Sequence, residues 1–259
     1  MSNPHFQNQI LWAGNTVASK SKKDLPMFQP YPSDQTYYGY FNDFMNYVAS
    51  DWTITSTDGG GDSGEVIQIT SGAGGQLIIT TNDADNDSEE LQLKGESFLI
   101  DGSKRAFFSC RFKLSDATES DALIGLAITD TTAIDGVSDG IFFTKDDGDT
   151  NLDFVVEKDS TETETAAIAT VADDTFITAS FFVDPNASQV FYAINNAEPV
   201  GVVNTNLPDN EELTVTLAIQ AGAAAAKSLV VDYVSVLVER KWQIQFHHKQ
   251  FRTVKERPS

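Results

Sequence analysis

Three stretches of this 259-residue sequence carry residue types at spacings that could do chemistry. The first is Glu157-Lys158-Asp159-Ser160-Thr161-Glu162, an E-x-D-x-x-E pattern. Two carboxyl groups about 5–5.5 Å apart can cleave a glycosidic bond, one as nucleophile and one as acid, if a strand frame holds them on one face. Lys158, Ser160 and Thr161 lie between the acids and Thr163-Glu164-Thr165 follows, so no apolar frame is visible and the stretch reads as a solvated hairpin end. The second is Gly59-Gly60-Gly61-Asp62-Ser63-Gly64, a G-x-G-x-x-G match. A dinucleotide site needs that loop to open a helix whose N–H groups face the phosphates. Here a strand pattern, Glu65 to Ile69, follows, and Asp58, Asp62 and Glu65 would repel phosphate. The third is a pair of acidic loops, Asn82 to Asp87 and Asp146 to Asn151. Calcium wants six to eight such hard oxygens. The first loop lacks the glycine and glutamate of a calcium-binding hand, so a solvated turn is the plainer reading and calcium is the only cofactor left open.

Other chemistry is excluded by count. Cys110 is the single cysteine, which rules out an intrachain disulfide and a thiolate zinc site. His5, His247 and His248 all lie near the termini, so a serine triad would have to borrow a terminal histidine. No catalytic residue is assigned, and the expectation is a protein without enzymatic activity. Met1 to Asn8 are polar with no apolar run behind them, and no stretch is long enough to cross a bilayer. The expectation is a chain made in a cytoplasm with no membrane partner. Asn86-Asp87-Ser88 and Asn186-Ala187-Ser188 match the glycosylation sequon, which carries no weight without secretion.

Charge divides the chain. Lys and Arg number 17 against 38 Asp and Glu, a net −21. Residues 240–259 hold six basic residues and one acid, and residues 1–34 hold three and two, which leaves −27 on the middle. An acidic body repels nucleic acid and anionic lipid. The basic tail, with Trp242, Phe246 and Phe251 interleaved, reads as an arm that docks on a neighbouring protein rather than on nucleic acid.

The elements that must position these residues are strands. Val66 to Ile69, Gln76 to Thr80, Ala106 to Leu114, Leu123 to Thr129, Gly140 to Thr144, Leu152 to Glu157, Phe176 to Val183, Val190 to Ile194, Leu213 to Gln220 and Leu229 to Val238 are rich in Val, Ile, Phe and Thr. In Ala106 to Leu114 the pleat puts Phe108, Cys110, Phe112 and Leu114 on one face. In Leu229 to Val238 strict alternation puts Leu229, Val231, Tyr233, Ser235 and Leu237 together, with a second, mostly valine face that also asks for cover. Turn residues fall between these runs, and Ala221 to Lys227 reads as a loop tip. No segment sustains a helical period. The expected fold is all-β, an antiparallel β-sandwich or jelly roll over 37–240, with extended arms at 1–36 and 241–259.

From Phe41 to Arg240 the order of signals resembles the concanavalin-like (laminin-G-like) jelly-roll domains of tailed-phage virion proteins. The resemblance rests on Phe41-Asn42-Asp43-Phe44 and Trp52, then Ala122 to Ile128 and Gly140 to Phe143. It continues through the hairpin Phe182 to Asn195 and closes on Val230 to Val236. It implies a capsid decoration (cement) protein at the surface of the virion, made in the host cytoplasm. Its partners would be the major capsid protein and further copies of itself, as a homo-oligomer that a trimer would suit. The arms would carry attachment through Pro26, Phe28 and Tyr31 at one end and Trp242, Phe246, Phe251 and Arg252 at the other. The alternative is a carbohydrate-binding, lectin-like domain on the particle surface, or a tail or fibre component. Lectin relatives bind sugar through calcium-supported loops, and some jelly-roll glucanases carry their acids on an E-x-D-x-x-E motif.

Overall fold

The structure is a computed structural model and describes residues 37–58, 65–185, 187 and 189–240. Sixteen strands form among these residues: β1 Tyr37–Asn42, β2 Trp52–Thr57, β3 Val66–Thr70, β4 Gln76–Thr80, β5 Ser88–Leu93, β6 Phe98–Leu99, β7 Ala106–Leu114 and β8 Ser120–Ala127. They continue with β9 Gly140–Lys145, β10 Asn151–Lys158, β11 Thr161–Thr170, β12 Ile177–Val183, β13 Gln189–Ile194, β14 Val200–Val203, β15 Glu212–Ala221 and β16 Ser228–Glu239. One sheet runs β14-β13-β12-β7-β16-β4-β3, with β1 also on β16. The other runs β11-β10-β9-β8-β15-β5-β2, with β6 on β15. Every pairing is antiparallel. The described residues thus form the all-β sandwich that the alternation predicts. Among them no helix is long and apolar enough to cross a membrane.

The core lies between the sheets because the inward residues of both are apolar. Phe108, Cys110, Phe112 and Leu114 of β7 are all buried in it, as the pleat requires. Aromatic rings bridge the layers: Phe154 of the second sheet meets Tyr192 at 5.3 Å and Phe181 at 6.1 Å, both of the first, and Phe143 meets Phe181 at 6.4 Å. Burying one such ring is worth about 1.5–3 kcal/mol.

One strand departs from strict alternation. Between Val231 and Tyr233 the register of β16 on β7 slips by a bulge. The slip turns Val234, Val236 and Val238 into the core and Tyr233, Ser235 and Leu237 outward, the reverse of simple parity. Asp232 sits at the bulge and pairs with Arg111 at 2.5 Å. Leu237 is still buried, packed with Phe107 on the outer face, so both sides of this strand are covered.

The outer face of the second sheet carries a small core of its own. Leu123, Phe142, Val155 and Ala218 lie under Ala133 and Val137. Those two residues belong to a loop, 128–139, that crosses the sheet as a strap. Its base is closed by Ile128 N–H on the Asp139 carbonyl at 3.0 Å. Buried Glu90 accepts the N–H groups of Ala133 (2.9 Å) and Ile134 (3.4 Å), and Gln92 accepts that of Asp130 (2.9 Å) and donates to the Ile128 carbonyl (2.9 Å).

The strand registers give the sandwich two distinct ends. At one, which we call the loop end, β4–β5, β7–β8, β11–β12 and β15–β16 cross between sheets. At the other, the terminal end, Tyr37 pairs with Glu239, so the chain enters and leaves the sandwich at one corner.

Candidate functional site

The two acids of the E-x-D-x-x-E stretch are not on one strand. Asp159 and Ser160 adopt positive φ (50° and 56°), the two-residue turn that suits the twist of a hairpin. The turn is held from outside: Ser160 N–H donates to the Ser138 carbonyl at 2.9 Å, and Asp159 N–H to Asp139 Oδ1 at 3.2 Å. Lys158 then faces Thr161, and Glu157 on β10 directly faces Glu162 on β11. Opposed residues of this kind have Cβ atoms about 4.5–5.5 Å apart. A hairpin end is what the sequence predicts. What it hides is that the turn brings the two carboxyl groups side by side.

Inward Leu152, Phe154 and Val156 anchor β10 in the main core. Asp153, Val155 and Glu157 therefore face out, with Glu157 at the margin of the strap. The Glu157 carboxyl is pushed up to about 7, first by burial and then by the charges of Glu162 and Asp139. Glu162 is exposed. Farther along β11, Glu164 is also raised, by partial burial and the charges of Asp153, Glu162 and Asp146. The loop 204–211 flanks the hairpin through Asn206 Nδ2 on Thr163 Oγ1 at 2.9 Å and an ion pair between Lys158 and Asp209. One carboxyl that keeps its proton near neutrality beside an exposed one is the pairing that divides acid from base or nucleophile. Ionised carboxyl groups can also accept hydrogen bonds from hydroxyl groups.

The remaining sequence candidates fall differently. Residues 59–64 of the glycine-rich stretch lie outside the described residues, and the strand β3, not a helix, follows them. In the Asn82 loop the carboxylate of Asp87 is used locally, accepting Ala84 N–H at 2.7 Å. In the Asp146 loop, Asp149 caps Asn151 N–H at 2.7 Å. Among the described residues no three His, Cys, Asp or Glu side chains converge as a metal-binding group. Pro26, Phe28, Tyr31, Trp242, Phe246, Phe251 and Arg252, with His247 and His248, lie outside the described residues.

Two buried groups escape the motif reading. Lys145 closes β9, and its parity with Ile141 and Phe143 is the sequence signal that puts it on the core side. Glu89 shares the inward face of β5 with Leu91, accepts the Ser56 hydroxyl at 2.8 Å and is pushed up to about 7, chiefly by burial.

No family model and no curated protein matches the sequence. Solved structures match its fold. An endo-1,3-beta-glucanase from Streptomyces sioyaensis superposes with a TM-score of 0.55 at 14% identity, over 81% of this chain and 98% of its own. A Bacteroides ovatus GH16 protein of a mixed linkage glucan locus, solved with a product, gives 0.54 at 12% identity, over 76% and 99%. The carbohydrate recognition domain of Emp46p gives 0.53 at 11% identity, over 75% and 94%. These likenesses also correct the expectation of no enzymatic activity. It rested on the absence of a frame around Glu157 and Glu162, but the fold is one that a glucanase uses and the hairpin supplies the frame. The chain shares its two-sheet antiparallel jelly-roll fold with these lectin-type and glucanase structures.

Proposed function

We propose that this chain recognises carbohydrate at the Glu157–Glu162 hairpin of its second sheet. The observation that supports this reading is the pair itself, one half-buried carboxyl raised to about 7 facing one exposed carboxyl, on a fold shared with a carbohydrate recognition domain and glucanases. A charged carboxylate accepts sugar hydroxyls, and a protonated one donates to a ring or glycosidic oxygen. The same division of protonation suits acid catalysis at a glycosidic bond, which makes hydrolysis the natural extension of binding.

Glycan-array binding and polysaccharide turnover, measured on wild type, Glu157→Gln and Glu162→Gln, test it together. Wild type should retain one class of glycan, and each variant should lose at least about tenfold in affinity, or about 1.4 kcal/mol. Turnover that both substitutions abolish would extend the reading to catalysis. Absence of any glycan binding by wild type, or binding untouched by both changes, would overturn it.

Display on a larger particle is the second part of the proposal. Its support is that Tyr37 pairs with Glu239, so residues 1–36 and 241–259 depart from one corner of an acidic body, and that the second of these segments is basic. A phage capsid, with neighbouring copies of this chain, is the partner we propose for them. Removing 241–259 should weaken binding to undecorated heads and spare glycan binding, and full occupancy by the truncated form would exclude this part alone.

A further inference from the structure

The loop end holds a cation of its own. Lys145 is fully buried, on the core side of β9. Its Nζ donates to two main-chain carbonyls, Ser120 at the start of β8 at 2.6 Å and Thr118 of the β7–β8 connection at 3.3 Å. Burial lowers its pKa from the ordinary lysine value, and the charges of Asp121, Asp149, Asp147 and Asp116 oppose that from β8 and from the loops that precede β8 and β10. Among the described residues none of these carboxylates forms an ion pair with it within 4 Å.

The segments around it are tied to one another. Gly148 N–H donates to the Thr118 carbonyl at 2.7 Å, the oxygen that Lys145 also uses. Asp147 N–H donates to Asp121 Oδ1 at 2.7 Å, and Gly222 N–H to the Glu119 carbonyl at 3.0 Å. Gly222 packs so close that a Cβ there would meet the Asp147 side chain at 2.4 Å. Main-chain carbonyls are oxygens that a hard metal ion also takes, but among the described residues no three carboxylates converge here to hold one. A buried ammonium left without acceptors would be costly, so the two carbonyls and the surrounding negative field are what allow it.

We infer that the Lys145 ammonium is a covalently tethered cation that holds the β7–β8 and β9–β10 loops together without a metal ion. The loop end then needs no calcium for its order. This inference does not depend on where carbohydrate binds.

The test measures melting temperature and amide hydrogen exchange on the full chain, first in EDTA and then in excess calcium chloride. Wild type should melt at the same temperature in both. Lys145→Met, which keeps the chain length and removes the charge, should lower the melting temperature by about 5 °C or more. It should also speed exchange at Asp147 and Gly148 at least about tenfold while leaving the Glu157–Glu162 hairpin unchanged. A wild-type melt that calcium raises or EDTA lowers would overturn the inference, as would unchanged exchange at Gly148 in the variant. Should Lys145→Met fail to fold, the wild-type metal titration decides alone.

Discussion

Two clusters of charge, one at each end of the sandwich, are handled in opposite ways. At the loop end the lysines have acceptors: Lys145 on two carbonyls, and Lys227 on Asp116 Oδ2 at 2.6 Å. The Lys227 ammonium, together with the N–H groups of Glu119 (3.0 Å) and Thr118 (3.1 Å) that Asp116 also accepts, holds its carboxyl below the usual range. At the terminal end Glu157 faces Glu162 and Asp139, and among the described residues it forms no ion pair within 4 Å. Satisfied charge is the mark of a scaffold. Like charges held together by a hairpin are destabilising, and such arrangements cluster where chemistry or binding uses them. The Lys145 and Lys227 cluster is therefore braced where the Glu157–Glu162 hairpin is primed, and Glu89, buried near the loop end, is an acid of the primed kind.

The comparison breaks most visibly at Asp116. Changing Asp116 to Ala leaves the buried Lys227 ammonium without its partner and frees two N–H groups. Removing one member of a buried pair costs about 3–5 kcal/mol, and the partial exposure of Asp116 puts the expected loss near the lower figure. Urea unfolding at pH 7 measures it. The sign with pH follows from the lowered carboxyl: its contribution is present above the ordinary aspartate range and fades as pH falls through the folded value. A loss below about 1 kcal/mol would mean that the loop end is not braced as described.

How much of this was legible in the sequence differs between the ends. The strands were legible because Val, Ile and Phe alternate with polar residues, as in Phe108 to Leu114. The bulge at Asp232 was not, since one extra residue changes parity without changing composition. Lys145 obeys the same alternation as Ile141 and Phe143, so its burial was readable in principle but runs against the preference of lysine for water. The Glu157–Glu162 pair was half legible. The turn was visible, yet Asp159-Ser160 is not the Asn-Gly or Asp-Gly signature of a two-residue hairpin, and the positive φ values depend on the strap at Ser138 and Asp139. Such long-range support leaves no mark in local spacing.

A pH titration of stability sharpens the contrast with smaller effects. Glu89 and Glu157 are both raised to about 7 in the fold, from ordinary values near 4.5. A carboxyl raised in this way favours the fold fully below about 4.5, and that contribution is lost as pH rises toward 7. Glu89→Gln should match wild type at pH 4 and exceed it at pH 8 by about 2–3 kcal/mol, because Glu89 is buried. Glu157→Gln should show the same sign and only about 1 kcal/mol, since solvent screens a half-buried group. Thermal melts from pH 4 to pH 8 would show it. A stability curve for Glu157→Gln parallel to wild type across that window would mean that the pair does not store repulsion.

The smallest expected effect on stability carries the most weight for function. Glu162 is exposed at the second position of β11, and its main neighbour is the carboxyl of Glu157. Glu162→Gln removes a charge and keeps the shape, so folding stability at pH 7 should change by no more than about 0.5 kcal/mol. Relief of repulsion should push any change toward greater stability. The pKa of Glu157 should fall, because one of the charges that raises it is gone. If the hairpin is a binding site, this variant loses glycan affinity while its melt stays put. A purely structural hairpin predicts the converse, an altered melt and unchanged binding. Following the Glu157 carboxyl by NMR through a pH titration of the variant, beside glycan affinity at pH 5 and pH 8, separates the two. Affinity that tracks protonation of Glu157 in wild type, and is lost in the variant at both pH values, requires that the two carboxyl groups act on the ligand together.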